Sequence, residues 1–428
     1  MSAETLTVQT RRVESPEARS QRLSTGILVV VIGAILAIMA FTVHHTGIIA
    51  LSDAFDEVQL PKIELPGTPT VLASALLVLG AGIGLLSGRL SHRLRVVAAV
   101  AAGVGVLVGF VVWAAASSDL PFTLTSQLNL TLEYATPLFF GVLGGVLAER
   151  AGVVNIAIEG QFLTAAFAAS LTYSITKSFV AALFAAALAS VLMSAVLTLF
   201  ALRYLVDHVI IGVVINVLAT GLTGFIYQQL VAKDPGAYSS VRPMLPISVP
   251  GLDKIPFLGP ILFTQRPLTY MAFVSVALVW FLLFRTKWGL RVRSVGEHPH
   301  AADTVGIPVV RTKTAAVLLG GMFAGLGGAY FTIGSVGAFQ DNNPTAGNGF
   351  IALAAVIMGR WHPVYGALTA LFFGFARALA QTTKPMQLPI PSHFIEMLPY
   401  LATIVAVAGL VGRVRPPAAD GAHFVKSH

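Results

Sequence analysis

Apolar residues run along this chain in blocks of about twenty, broken by short polar stretches, almost from end to end. Wound as an α-helix at about 1.5 Å per residue, a block of that length matches a hydrocarbon layer about 30 Å thick. We read about twelve such segments, at 25–48, 69–88, 96–117, 126–147, 154–175, 179–202, 209–231, 267–285, 314–334, 349–360, 364–382 and 393–412. The expected fold is all-α, a polytopic transmembrane helical bundle.

Two places depart from a plain series of spans. The run 349–360 is followed by Gly359-Arg360-Trp361-His362-Pro363. Twelve residues make a helix of only about 18 Å, short of the hydrocarbon thickness, so this run is either a short span or a half-helix that breaks inside the protein. The stretch AERAGVVNIAIEG at 148–160 poses the same question of a re-entrant segment. Backbone breaks at membrane depth are tolerated only where protein covers them or where they line a watery path.

A polar island interrupts the apolar pattern at 285–313 (RTKWGLRVRSVGEHPHAADTVGIPVVRTK). Its basic residues Arg285, Lys287, Arg291, Arg293, Arg311 and Lys313 cannot sit in hydrocarbon and mark a cytoplasmic loop. Inside it, His298-Pro299 opens a helix-like stretch that Gly306 closes, since Pro suits the first turn of a helix and Gly its stop. A short ordered helix on the cytoplasmic face is a candidate docking surface. His298 and His300 lie two apart with no further ligand near, which argues against a metal site.

Composition supports the membrane reading. Of 428 residues 56% are hydrophobic and 11% charged, with a mean hydropathy of +0.81; soluble domains carry about 25% charge. The net charge of +8 does not signal nucleic-acid binding, because the basic residues sit at span ends, where topology and anionic lipid account for them. There is no cysteine, hence no disulfide framework and no thiolate metal site. Lys/Arg placement puts both termini inside: Arg11, Arg12, Arg19 and Arg22 lead the first span, and Arg413 and Arg415 follow the last. Arg89, Arg93, Arg95, Arg150 and Arg203 also fall inside, whereas the acidic loop Asp53–Glu64, Asp119 and the Pro- and Gly-rich 232–266 loop fall outside.

The organisation expected is a cytoplasmic tail at 1–24, three additional spans at 25–124, a core at 125–412 carrying the loop 286–313, and a cytoplasmic tail at 413–428. The first three spans hold almost no polar residue, and Gly80 with Gly84 suggests close packing there. In the core, Gly141 with Gly145, and Gly321, Gly325, Gly327 and Gly328, read as packing faces. Asn155 and Glu159 are four apart, as if on one helix face, and are candidate translocation-pathway groups. Asn216 and Thr220, also four apart, place their helix inside the bundle, either bonding across helices or facing the path. Gln340, Asp341, Asn342 and Asn343 form an external polar loop.

Four blocks, at 148–169, 209–225, 289–313 and 349–379, together resemble the permease subunits of ATP-binding-cassette importers. The resemblance is to the branched-chain-amino-acid/ribose type, and within it to nucleoside and simple-sugar permeases that work beside a Bmp-type lipoprotein. It covers roughly 125–412. The resemblance implies that Gly296, Glu297, His298, Pro299, Ala301, Ala302, Gly306 and Ile307 form the coupling helix that docks in a groove of the ATPase. Ala301 and Ala302 are small enough for close approach, and Glu297 suits a helix cap or a basic partner residue. No Walker A pattern (G-x-x-x-x-G-K-[ST]) occurs. The chain is therefore expected to be no enzyme and to need no cofactor of its own, with Mg-ATP bound by a separate ATPase. The other partners implied are a second permease chain, a different one, and an extracytoplasmic binding lipoprotein, in a bacterial plasma membrane. The expected cargo is a nucleoside, with simple sugars such as ribose the alternative. An ion-coupled secondary transporter would want intramembrane carboxylates or cation sites, and few charges lie within the spans.

Overall fold

The computed structural model describes residues 16–43, 45–53, 58–339, 344–397, 400 and 415–425. Nine helices among these are long and apolar enough to cross a membrane. The polar loop expected at 340–343 and most of the apolar run 393–412 lie outside them.

The chain divides into two compact units. One contains α1 (Pro16–Ala40), α2 (Gly67–Ser87) and α3 (His92–Ala116), with strands Thr46–Ala50 and Ile63–Pro66 pairing antiparallel between α1 and α2. Packing of α1 on α2 relies on small residues, though not on those expected. A Cβ on Gly82 would meet Val30, and one on Gly33 would meet Leu79, whereas Gly80 has nothing near it and Gly84 only Leu90. A four-residue spacing put both glycines on one face, but that face points away from the neighbouring helix. Leu76, Ile83, Val97 and Val100 are exposed on this unit, as lipid-facing side chains would be.

The second unit holds α4 (Leu124–Arg150), α5 (Ile158–Thr176), α6 (Phe179–Thr198), α7 (His208–Ile226) and the short α8 (Pro235–Tyr238) and α9 (Leu258–Leu262). It continues through α10 (Pro267–Arg285), α11 (Lys287–Glu297), α12 (Pro299–Thr304), α13 (Val309–Ala329), α14 (Asn348–Met358), α15 (Pro363–Thr383) and α16 (Ser392–Glu396). Three of these, α6, α7 and α13, run on into a π-helical turn.

The core of this unit is built around α4, which buries Phe139, Phe140, Leu143, Val146 and Leu147 completely or nearly so. Neighbouring helices approach it through glycine. A Cβ on Gly141 would strike Ala352 and one on Gly145 would strike Val356, so α14 lies directly on α4. Gly144 and Gly320 face each other across α4 and α13. Gly321 and Gly325 of α13 admit Ser194, Ser190 and Ala186 of α6, and the Ser190 hydroxyl donates to Gly321 O at 2.6 Å. Close backbone approach of this kind is how helices associate where lipid and side chain are equally apolar.

Candidate functional site

The half-helix α14 is held at both ends by side chains from 149–159. Its first residues follow Gly347, which has φ +77° and no side chain to cap the free N–H groups. The cap comes from another helix. Glu159 Oε1 accepts from the Thr345 hydroxyl at 2.6 Å and from Gly347 N–H at 2.9 Å, and Oε2 accepts from Gly349 N–H at 2.7 Å. Negative charge at a helix N-terminus also meets the favourable end of the helix dipole. At the other end the chain turns through left-handed Arg360 and Trp361 (φ 54° and 52°). Arg150, the last residue of α4, donates from Nε to Trp361 O at 2.8 Å and from Nη2 to Arg360 O at 3.4 Å. The Trp361 indole N–H donates to Glu149 Oε2. A broken helix deep in a membrane protein needs its free backbone groups satisfied by protein, and these residues do it.

The sequence placed Asn155 and Glu159 on one helix face. The structure corrects this, because residues 152–155 are not helical and α5 starts at Ile158. Asn155 is wholly buried and its Nδ2 donates to Gln161 Oε1 at 3.2 Å, while Gln161 Nε2 donates to Ser194 Oγ at 2.9 Å. Asn216 spans two helices. Its Oδ1 accepts from Gly160 N–H at 2.8 Å and its Nδ2 donates to Ile156 O at 3.0 Å, tying α7 to the start of α5. Thr220 is exposed and its hydroxyl donates back to Asn216 O at 3.0 Å. Asn216 thus bonds across helices, one of the two roles expected of it, while much of the rest of α7 is exposed on this chain. Val213, Val214, Val217, Leu218 and Phe225 of α7 are exposed. Asn216 needs only one turn of α5 as its partner, so a single face of α7 suffices.

The polar island folds as two helices. The Thr286 hydroxyl accepts from Gly289 N–H at 3.1 Å and so caps α11. Gly296 near the end of α11 is pressed against the end of α4, where a Cβ would run into Arg150 O. Pro299 occupies the first turn of α12. Gly306, at φ +81°, reverses the chain after it, and Ile307 N–H donates to Ala302 O at 3.0 Å. These two backbone features are the stop signal of a helix C-terminus.

The two alanines of α12 differ. Ala301 is exposed with Thr304 and Val305, whereas Ala302 is buried among Val295, Val309 and Phe424. Only Ala301 is thus available on the outer face. Glu297 does not cap α12, whose cap residue His298 is itself exposed and makes no side-chain cap bond. The Glu297 carboxylate instead accepts from Ala418 N–H at 3.1 Å.

Three features lay outside the reading of the sequence. Glu149, Arg150 and Trp361 grip α14, a role signalled only by polar residues next to an expected break. Lys313, assigned to the solvated island, has no exposed surface, and its ammonium donates to Gly152 O at 3.3 Å. Asp420, in the segment 415–425, faces Lys313 and Glu149. Burial pushes its carboxyl up to about 7, against the opposing pull of the Lys313 ammonium.

Comparison with known proteins supplies a family for this arrangement. A family model described as "Branched-chain amino acid transport system / permease component" matches residues 127–411. The guanosine ABC transporter permease protein NupQ of Bacillus subtilis is 39% identical over 317 residues, 72% of this chain and 99% of that protein. The nucleoside ABC transporter permease protein NupC of Lactococcus lactis subsp. cremoris is 38% identical over 307 residues, 69% of this chain and 95% of that protein. A putative glucose ABC transporter permease protein of Haloferax volcanii, TsgC13, is 31% identical over 61% of this chain and 79% of its own length. No solved structure matches the chain. A multi-pass helical membrane protein matched by that model along two thirds of its length, and by the guanosine and nucleoside permeases along nearly all of theirs, belongs to the branched-chain amino acid transport system / permease component family.

Proposed function

We propose that this protein is the membrane-spanning permease subunit of an ATP-binding-cassette importer for nucleosides. The observation that carries the reading is the match to a guanosine and a nucleoside permease at 38–39% identity over 95–99% of those proteins. Four further features of the chain support it. It has a helical core and a broken helix fixed at both ends. It carries a short helix, α12, with an exposed face of Ala301, Thr304 and Val305. It lacks a Walker A sequence.

In this reading α12 is the coupling helix, presented on the cytoplasmic side to a separate ATPase that binds Mg-ATP. Engines of this kind work in pairs, so a second permease chain completes the pore, and an external binding lipoprotein delivers the solute. Both termini lie in the cytoplasm of a bacterial cell. The permease itself makes and breaks no covalent bond. Nucleotide-driven closure of the ATPases shifts the pore between outward and inward openings. Asn155, Glu159 and Asn216 are engaged with their own protein in this conformation, so they act on the path by holding α5, α7 and α14 in place, while Thr220 has its hydroxyl on an exposed face.

Uptake of labelled guanosine, uridine, ribose and glucose, with the gene deleted and restored, tests the reading. Nucleoside uptake is expected to fall to background and return. Loss of sugar uptake with nucleoside uptake intact would assign the chain to sugars instead, and no loss of either would refute the importer.

A further inference from the structure

The segment 415–425 lies against the helices of the polar island and makes bonds and contacts of four kinds. Its backbone joins α11: Ala419 N–H donates to Gly296 O at 2.9 Å. Ala418 N–H donates to the Glu297 carboxylate at 3.1 Å, at the joint between α11 and α12. Phe424 fills the space between Val295 of α11, Ala302 of α12 and Val309 of α13, with Ile307 packed alongside. Asp420 reaches inward towards Lys313 of α13 and Glu149 of α4, and the Gly152 backbone is so close to Ala419 O that a Cβ there would stand 2.8 Å from it. The segment is compact in itself, with Asp420 N–H donating to Pro417 O at 3.0 Å and Ala422 N–H to Ala419 O at 3.2 Å.

The short helix α12 is held by one small buried cluster. It buries only Pro299 and Ala302, and Phe424 is the largest side chain in the cluster that receives Ala302. Six residues of helix depend on tertiary support; Val295 of α11 and Val309 of α13 seat Ala302, and Phe424 completes the cluster around it. The other end of the segment is set among buried titratable side chains: Lys313 has no exposed surface and Glu149 almost none. The backbone places this end firmly, through the Ala419 N–H bond to Gly296 O and the close approach of Ala419 O to Gly152.

We propose that segment 415–425 is a positioning element for coupling, a strap that fastens α12 to the ends of α4 and α13 so that a displacement of α12 is passed to those helices. The proposal rests on the reading of α12 as the helix that meets the ATPase. Without the strap, α12 still presents its outer face of Ala301, Thr304 and Val305, but its motion is absorbed locally. Binding of the ATPase and transmission of its stroke thus become separable, which a loss of folding would not produce.

The test uses the complete transporter in proteoliposomes, with uptake and ATP hydrolysis measured on the same sample. The variants are a deletion of 415–428, Phe424→Ala, Phe424→Tyr and Asp420→Asn. The expected result for the deletion and Phe424→Ala is a fall of about tenfold or more in solute moved per ATP hydrolysed, with the ATPase still co-purifying. Phe424→Tyr, which keeps the ring, is expected to restore the ratio. Should the deletion fail to assemble, Phe424→Ala against Phe424→Tyr decides the matter. An unchanged ratio in Phe424→Ala would overturn the proposal. So would a parallel loss of ATPase binding and transport in both Phe424→Ala and Asp420→Asn, since the strap would then be part of the fold alone. Failure of the unmutated chain to co-purify with any ATPase would instead refute the assignment of α12.

Discussion

Removing the carboxylate of Glu159 should loosen α14 without touching any residue of that helix. The carboxylate receives three donors, the Thr345 hydroxyl and the N–H groups of Gly347 and Gly349. In Glu159→Ala all three lose their acceptor. Thr345 and Gly349 are buried and Gly347 half-buried, so water replaces little of what is lost. At about 1–1.5 kcal/mol for each net bond, the local cost is about 3–5 kcal/mol. Glu159→Gln is milder. Its oxygen can still serve Thr345 and Gly347, but its amide nitrogen then confronts the Gly349 N–H, so about 2 kcal/mol is expected. Hydrogen exchange of purified protein in lipid nanodiscs reads these figures directly, because a local opening made 1.4 kcal/mol easier exchanges about tenfold faster. Peptides covering 347–358 should exchange about thirtyfold faster in Glu159→Gln and several hundredfold faster in Glu159→Ala, with α6 and α10 unchanged. If α14 in Glu159→Ala keeps the protection of the unmutated protein, the carboxylate is not its cap.

Gly296→Val should abolish uptake while expression persists, because the added side chain strikes Arg150 O, an overpacking cost of about 1–3 kcal/mol; uptake against a membrane immunoblot checks this. Asn216→Leu leaves the Gly160 N–H and the Ile156 carbonyl without their partner and should cost about 1–3 kcal/mol, seen as a lower thermal midpoint in detergent. The strap should hold more weakly at high pH. The Asp420 carboxyl sits at about 7 when folded, above its ordinary value, so folding favours its protonated form and the associated stability is lost as pH rises from about 4 to 7. Exchange of 415–425, corrected for intrinsic rates, should quicken over that range and flatten in Asp420→Asn; equal slopes in both would clear Asp420 of the effect. With no native cysteine, a Cys at Ser294 should label only from the cytoplasm and one at Ser240 only from outside, and labelling of both from one side would refute the orientation.

The division between what sequence decides and what tertiary structure decides falls along physical lines here. Span-forming helices were legible because a lipid-spanning helix must satisfy its backbone within itself and be apolar along its length, both local properties. For the same reason Pro299 and Gly306 could be read as the start and stop of α12, and residues 349–360 as short of the hydrocarbon thickness. Partnerships were not legible. Glu159 looked like a pathway group because a carboxylate among apolar residues signals function, yet its three donors lie some 190 residues further along the chain. The four-residue spacing of Asn155 and Glu159 suggests one helix, but the helix begins only after Asn155. Lys313 reads as part of a solvated basic cluster because its sequence neighbours are charged, and only the packing of 152 and 420 around it shows it enclosed. Gly80 and Gly82 differ by two positions and about 200° of helix, and nothing local says which side faces α1. A sequence states what each segment can tolerate around it. Which carboxylate caps which helix, and which alanine of α12 faces outward, depends on chain segments far apart in sequence, and only the folded structure brings those together.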